Sequence, residues 1–253
     1  RRVYDDVWEA STAETPQANV VGTITYSNDV ISELSAPAHP DNPRYELRYR
    51  NQQKVEGLHI PSHRPPPSFQ RIEQIPIDPK TSQQHYTQYQ NFLFATYGAS
   101  PQRNPASAMK EPLIAFAVFG QGNAAVRPNE EYRQVFASFQ EILSRILPAH
   151  IGFRSIEVRS PDVILKTATG DFPLEAMSGG LNALFGIAWQ IHTYGFDKTA
   201  CTVLIDEPEN HLHPSMQRDF LPRLSAAFPT YNFIVSSHSP FVVSSKPDAA
   251  VYA

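Results

Sequence analysis

Apolar side chains recur with a helical period after residue 130. Their spacing of i, i+1, i+4, i+7, i+8 and i+11 places them on one face of a helix. They are Val135, Phe136, Phe139, Ile142, Leu143 and Ile146. Pro148 has no backbone donor and predicts the end of this helix.

A second helix is predicted to begin at Ser178, because serine favours the N-cap position. Its inner face is predicted to consist of Leu181, Leu184, Phe185, Ala188 and either Ile191 or His192. Residues 83–97 are compatible with a third helix, which is polar and rich in aromatic residues.

Alternating polar and apolar positions predict strands in other parts of the chain. Residues 20–26 and 45–50 show this alternation, and residues 153–158 and 163–166 flank a turn, which predicts a hairpin. Nine prolines lie between Pro37 and Pro79. Because proline cannot continue a helix, the first third is predicted to consist mainly of strands and loops.

The last part of the chain alternates between strand and helix signals. Residues 201–205 form a short apolar run, typical of a parallel strand buried on both faces, and residues 231–235 are interpreted as a second buried strand. Between them, Pro214 is predicted to open a helix that Pro222 kinks or ends early. Strand, helix and strand in this order predict a right-handed parallel crossover.

Composition and charge narrow the class of protein. Of the 253 residues, 41% are hydrophobic and 18% are charged, which indicates a globular rather than a disordered chain. The net charge of -4 provides no overall basic field for nucleic acid or an anionic membrane. The net charge does not exclude a local basic patch that binds nucleic acid. The arginines that would form it are Arg44, Arg48, Arg50, Arg64 and Arg71.

The chain carries no sign of a membrane segment or of a disulfide framework. Its longest strongly apolar run, residues 113–119, is far shorter than the roughly 20 residues that span a bilayer. Cys201 is the single cysteine, which suits a reducing compartment, so we expect a cytoplasmic protein without a membrane partner. The chain begins at Arg1 without a methionine, and we expect it to be part of a longer protein.

Two adjacent carboxylates follow the apolar run at residues 203–205. Asp206 and Glu207 are placed at the carboxyl edge of a parallel sheet, where open α/β sheets bind ligands. Neighbouring strand residues point to opposite faces, so the two side chains can hold different tasks. One can orient the water shell of Mg²⁺ while the other polarises an attacking water. The alternative is a solvated strand end without a catalytic role.

Three motifs then resemble one family. Residues 204–214, with the sequence LIDEPENHLHP, resemble the extended Walker B motif of ABC-type ATPases in the RecF, SMC and OLD-like branch. Residues 236–240, SSHSP, resemble the switch-histidine motif of that branch, and residues 177–180, MSGG, resemble the ABC signature. The motifs occur in the family's order on the predicted elements.

The resemblance implies a fold and a set of roles. The fold class is α/β, an ABC-type ATPase core with a parallel sheet and helices plus an N-terminal antiparallel β subdomain. The expected segments are a β-rich, proline-rich part (1–80), a helical insertion or arm (81–150) and a catalytic core (151–253). The expected ligands are ATP and Mg²⁺, with Glu207 as general base, Asp206 as the Mg²⁺ ligand through water and His238 as the γ-phosphate contact.

The resemblance also implies partners. Ser178, Gly179 and Gly180 would contact the nucleotide bound by a second copy in a head-to-tail homodimer, and Asn210 and His211 would face that copy. Family members of this kind often serve DNA repair or antiphage defence, coupled to a nuclease or toxin domain or subunit. Arg64, in a segment that also resembles the OLD-like ATPases, would reach a phosphate or a partner, or be an ordinary solvated loop residue.

One motif of the family is missing from this sequence. None of the six lysines follows a glycine, so the chain contains no Gly-x-x-x-x-Gly-Lys-Ser/Thr phosphate loop. We expect this ATPase to lack its first part, and the alternative is a degenerate subunit or a non-hydrolysing scaffold that binds a protein or nucleic acid. A transporter nucleotide-binding domain, a zinc cluster at His211 and His213, and a hydrolase triad at Ser237 and His238 fit the pattern less well.

Overall fold

The computed structural model describes residues 18–37, 47–54, 56–65, 69, 72, 75, 77–96 and 105–252. By its internal contacts the chain divides into two units, Arg1–Glu56 and Gly57–Ala253. The division predicted at residues 80 and 150 stays a prediction. Among the described residues, no helix is both long and apolar enough to cross a membrane.

The first unit contains an antiparallel sheet. Its strands are β1 (Ala18–Thr25), β2 (Ile31–Pro37) and β3 (Arg48–Arg50), in the order β1-β2-β3. The antiparallel sheet expected near the N-terminus is therefore present, and the strand predicted over residues 20–26 is confirmed. For residues 45–50, the structure shows a strand at the last three positions, while Tyr45 and Glu46 lie outside the described residues.

The second unit mixes strands and helices. Its described strands are β4 (Leu58–Ile60), β5 (Phe153–Arg159), β6 (Asp162–Thr167), β7 (Asp171–Pro173), β8 (Thr202–Asp206) and β9 (Asn232–Ser236). Its described helices are α1 (Ser82–Ala95), α2 (Pro105–Gln121), α3 (Glu130–Ile146), α4 (Gly179–Gly195), α5 (Pro214–Ala227) and α6 (Pro240–Val243). The predicted α/β class, with a parallel sheet, helices and antiparallel strands, is confirmed.

The helix ends follow local capping chemistry. Thr81 and Gln84 form a capping box at the start of α1, and the Asn129 side chain accepts a hydrogen bond from the Tyr132 backbone at the start of α3. The helix α3 ends at Ile146, two residues before Pro148, and α4 begins directly after Ser178. The helices predicted over residues 83–97, after residue 130 and from Ser178 are confirmed. The hairpin, which pairs β5 with β6, is also confirmed.

Helix α2 was not predicted from the sequence. It contains Pro112 and is buried along most of its length, against α1 on one side and α3 on another. A helix that is buried on several sides is apolar all round, so its sequence shows no clear stripe of period 3.6. This is why residues 113–119 stood out only as an apolar run.

The parallel sheet has the order β4-β8-β9 and corrects one prediction. Its parallel pairing confirms the strand-helix-strand arrangement, with Asp206 opposite Ser236 at the carboxyl edge. The expectation that both strands are buried on both faces is wrong. Val203 and Ile205 are fully buried, whereas Leu204 is 41% exposed and Ile234 is 60% exposed. Alternate residues point to opposite faces, so within the described residues only one face of this sheet is covered.

Helix α5 excludes one of the two outcomes expected at Pro222, which was predicted to kink this helix or to end it early. It does not end early at Pro222 but continues to Ala227. A proline inside a helix removes one backbone hydrogen bond and costs about 3 kcal/mol or more. Phe220, Leu224 and Ala227 are buried on the inner side of α5. Their burial offsets the cost of the proline and keeps the last turns helical.

Aromatic side chains fill the core between the helices. Phe139 packs edge to face on Phe185 and on Trp189, with ring centroids 5.2 and 5.3 Å apart. His85 from α1 lies edge-on to Phe116, with centroids 5.1 Å apart. Neither ring nitrogen of His85 has a hydrogen-bond partner among the described residues.

Two buried histidines should make the protein sensitive to acid. Burial, with a smaller contribution from the charge of Lys80, lowers the pKa of His85 to about 4, and burial lowers the pKa of His192 to about 3. Because an unfolded histidine titrates near 6.5, the unfolded chain binds more protons below that pH. Their contribution to stability is therefore complete above pH 6.5. Below it, stability should fall by up to about 1.4 kcal/mol per pH unit for each histidine.

Urea unfolding at pH 7.0 and pH 5.0 measures this effect. We expect His85→Leu to show a smaller loss of stability between the two pH values than the unsubstituted chain. His150→Gln is the matched control, because His150 is exposed. An equal pH dependence in the His85→Leu variant and the unsubstituted chain would contradict the prediction.

Candidate functional site

The turn after β8 places two carboxylates at the edge of the parallel sheet. Asp206 is the last residue of β8, and its Oδ1 accepts a hydrogen bond from the hydroxyl of Ser236 at the end of β9. The Glu207 backbone N–H donates to the Ser236 carbonyl over 2.9 Å. Glu207 has a φ of +42°, which is uncommon for a residue with a side chain. The chain therefore leaves the sheet abruptly at this residue.

The Glu207 carboxylate lies between two polar side chains. Its Oε2 accepts a hydrogen bond of 3.1 Å from the Asn210 amide, and its Oε1 lies 3.6 Å from Nε2 of His238. Glu207 is 35% exposed and His238 is 91% exposed. The structure thus brings together Asp206, Glu207, Asn210 and His238, four of the predicted site residues. The Asn210 amide also donates to the Ser62 carbonyl of the same chain.

Arg64 fixes the backbone of both carboxylate residues. It follows β4, the neighbour of β8, and its guanidinium donates to the carbonyls of Asp206 and Glu207 over 3.1 Å each. Arg64 is largely buried, so the alternative that it is an ordinary solvated loop residue is wrong. A planar guanidinium can hold two neighbouring carbonyls at once. Arg64 therefore anchors the turn that carries Asp206 and Glu207.

The basic patch considered from the sequence stays a prediction for the other arginines. Arg48 and Arg50 are exposed on β3 in the first unit. Arg44 and Arg71 lie outside the described residues. Arg64 is engaged with the turn after β8, so it does not belong to an exposed basic surface.

Glu209 is a functional candidate that the sequence reasoning missed. Its Oε1 accepts hydrogen bonds from the backbone N–H of His238 and of Ser239, over 2.7 and 3.0 Å. Its Oε2 accepts one from the Ser237 hydroxyl over 2.9 Å. The sequence contains one signal for this role. Glu209 is a third carboxylate two residues after Glu207, and the serine-rich loop at residues 236–239 supplies donors that need a hydrogen-bond acceptor.

The residues that resemble the signature form a second group. The Ser178 hydroxyl accepts a hydrogen bond from the Leu181 backbone and caps α4, whose first residues are Gly179 and Gly180. A Cβ on Gly180 would lie 2.9 Å from Sδ of Met216 and 3.1 Å from the His211 carbonyl oxygen. His211 itself has a φ of +72°. The predicted residues Ser178, Gly179, Gly180 and His211 therefore lie side by side within one chain.

A buried ion cluster ends close to this second group. Nζ of Lys110, on α2, lies 2.7 Å from a carboxylate oxygen of Glu175 and 2.9 Å from one of Asp162. Lys110 is 1% exposed. Burial disfavours its charge, but the hydrogen bonds with the two carboxylates outweigh burial and raise the pKa of Lys110. Glu175 lies three residues before Ser178, so the cluster ties α2 to the segment that leads into α4.

The described residues contain no group of three or more His, Cys, Asp or Glu side chains placed to hold a metal ion directly. Mg²⁺ is usually held by one or two carboxylates together with water and substrate phosphates. Asp206 offers a carboxylate of this kind at the sheet edge, which is compatible with an indirect contact.

The fold and the placement of these residues agree with the class that the sequence resembles. A parallel sheet that ends in Asp206 and Glu207, a helix that begins after Ser178, and a loop that carries His238 are the elements that the resemblance to ABC-type P-loop ATPases predicts. Over residues 3–244 the chain matches the family described as "AAA domain, putative AbiEii toxin, Type IV TA system", and it belongs to this family.

Individual relatives match shorter segments. The chain is 55% identical over 40 residues to the retron Ec83 probable ATPase of Escherichia coli, covering 16% of this chain and 7% of the relative. It is 48% identical over 42 residues to the retron Vc95 probable ATPase of Vibrio cholerae serotype O1 biovar El Tor, covering 17% and 8%. The matched segments thus span less than a tenth of these curated relatives.

Solved structures match about half of the chain. One is an SMC ATPase structure from work on ATP-driven dimerization and DNA stimulated activation. The two chains are 21% identical, and their alignment covers 45% of this chain and 73% of the SMC chain, with a TM-score of 0.37.

Proposed function

We propose that the chain is part of an ATP-binding and ATP-hydrolysing head that dimerises on ATP and gates an associated effector. Its family and its retron relatives support the ATPase class. The observation that carries the proposal is the 3.6 Å approach of Glu207 and His238 at the carboxyl edge of a parallel sheet. Arg64 and Asn210 hold this arrangement from two sides.

In this proposal Glu207 is the general base for the attacking water. Its Oε2 is held by Asn210, while Oε1 faces His238. The base takes a proton from the water as the water oxygen attacks the γ-phosphorus, and the bond to the leaving ADP oxygen breaks. Nε2 of His238 donates to the γ-phosphate and keeps it in line with that water.

Asp206 is proposed to hold Mg²⁺ through water. Its carboxylate is oriented by the Ser236 hydroxyl, and oxygen ligands suit this hard cation. When bound, the ion would neutralise charge on the β- and γ-phosphates.

The second group of residues is proposed to act on a nucleotide bound by another copy. Ser178, Gly179 and Gly180 open α4, where backbone N–H groups and the helix dipole favour phosphate oxygens. His211 lies against Gly179 on the same side. A head-to-tail homodimer would bring this surface, with the segment that includes Asn210, to the partner's site.

The effector is proposed to be a nuclease or toxin, in DNA repair or antiphage defence. The family description includes the words "putative AbiEii toxin, Type IV TA system", and the relatives are named probable ATPases of retrons. Nucleic acid is a further candidate partner. The proposed homodimer would transmit ATP-driven closing and opening to that effector.

The 253-residue chain by itself should hydrolyse ATP weakly or not at all. It contains no Gly-x-x-x-x-Gly-Lys-Ser/Thr sequence to cradle the α- and β-phosphates. Phosphate release by the purified chain, compared with a longer version extended before Arg1 by a segment that supplies a phosphate loop, measures this. Substantial turnover by the short chain that depends on Glu207 would contradict the prediction. Failure of the longer version to hydrolyse ATP would contradict the proposed function itself.

A further inference from the structure

Glu209 joins the turn after β8 to the loop that carries His238. Three donors from residues 237–239 converge on its carboxylate, two backbone N–H groups and one hydroxyl. Adjacent backbone N–H groups of this kind form a concavity that binds anions. In this chain the anion is the side chain of Glu209.

The contacts favour a carboxylate over a neutral side chain of the same shape. Both oxygens of Glu209 accept, and hydrogen bonds to a charged acceptor are about twice as strong as neutral ones. A glutamine at this position keeps one acceptor oxygen for the two backbone N–H groups, and its NH₂ faces the Ser237 hydroxyl, which must then turn from donor to acceptor. The two backbone contacts then lose the charge that strengthens them.

A second contact fastens the same loop. The Ser239 hydroxyl donates to Oε1 of Gln217 over 2.6 Å, and the Gln217 amide donates to the Leu212 carbonyl over 2.8 Å. The loop is thus bound both to Glu209 and to the first turn of α5. With an imidazole that is 91% exposed, packing does little to place His238, and its position depends on the backbone that Glu209 holds.

We infer that Glu209 is the positioning residue for His238. It holds the loop after β9 so that Nε2 of His238 stays near Glu207 and can reach the γ-phosphate, which rests on the function proposed above. Glu209 does not touch the reacting atoms itself. The structural part of this role can be measured without any ATP hydrolysis.

Amide hydrogen exchange, followed by NMR in the 253-residue chain, measures the loop directly. We expect Glu209→Gln to speed the exchange of the His238 and Ser239 amides by about tenfold or more, with the urea midpoint close to that of the unsubstituted chain. Glu131→Gln, an exposed position on α3, is the matched control and should leave both amides unchanged. Unchanged exchange in Glu209→Gln would overturn the inference.

Steady-state kinetics of the ATP-hydrolysing version measure the consequence. We expect Glu209→Gln to lower kcat by about tenfold or more while the KM for ATP changes by less than about twofold, because only placement of His238 in the transition state is lost. Ser237→Ala removes a hydroxyl that donates to Glu209 and accepts from the Ser239 N–H, while both backbone contacts of Glu209 stay. It should act in the same direction with a smaller effect, and it serves if Glu209→Gln fails to fold. An active parent with an unchanged kcat in Glu209→Gln overturns the inference. An inactive parent instead overturns the proposed function.

Discussion

Glu207→Gln should abolish ATP turnover and leave an ATP-bound dimer that does not reopen. Glutamine has the shape of glutamate and can still accept the Asn210 hydrogen bond, but it cannot take a proton from water. Loss of a positioned general base costs about 10² to 10⁴ in rate. Phosphate release measures the rate, and light scattering after size-exclusion chromatography with ATP measures the dimer. Both measurements are made on the longer version of the protein that hydrolyses ATP.

Glu131→Gln is a suitable control for this substitution, because it makes the same chemical change at an exposed position on α3. It should leave turnover and dimer lifetime as they are in the parent protein. Unchanged turnover in Glu207→Gln would remove Glu207 from the reaction. Together with a parent that binds ATP without hydrolysing it, this result would favour the non-hydrolysing scaffold.

Lys110→Ala should destabilise the second unit by about 3–5 kcal/mol, the cost of removing one partner from a buried ion pair. The substitution leaves Glu175 largely buried without its cation, while Asp162, which is about one-third exposed, can regain water. It also leaves a cavity in the space that the buried Lys110 side chain fills. Urea unfolding at pH 7 measures the loss.

A double substitution separates the charge from the cavity. Lys110→Met with Glu175→Gln removes both buried charges and keeps most of the volume, so it should recover a large part of the stability lost in Lys110→Ala. Lys54→Ala is the control, because the Lys54–Glu56 pair is exposed and such pairs contribute little. A similar urea midpoint for Lys110→Ala and Lys54→Ala would show that the buried cluster does not stabilise the unit.

Local patterns predicted most of the helices and strands. The stripe that ends at Ile146 marked α3, and Ser178 marked the start of α4, because each signal lies within one turn of the element that it defines. The exposed faces of Leu204 and Ile234 were not predictable in this way. A strand's sequence shows that it can be buried on two faces, but which face is covered depends on elements far away in the chain.

The same distinction applies to the candidate site. The motifs identified Asp206, Glu207 and His238 because these residues stand next to recognisable strands. The contacts of Arg64 and Glu209 cross 142 and 29 residues respectively, and no local pattern indicates them. They depend on the pairing of β4 with β8 and on the loop after β9 folding back over the turn. Both are features of the tertiary structure.

The tight surroundings of Gly180 affect how this chain's descendants can change. Met216 and the His211 carbonyl leave little room for a side chain at that position, whether or not a phosphate is ever bound there. Because a side chain there would require Met216 and the His211 carbonyl to shift, selection for folding alone would favour a glycine in a lineage that had lost ATP hydrolysis. Glu207, which is one-third exposed, has no such protection. With Glu207 as the proposed general base, its replacement in a relative is thus a better sign of lost catalysis than the survival of the glycine is of retained catalysis.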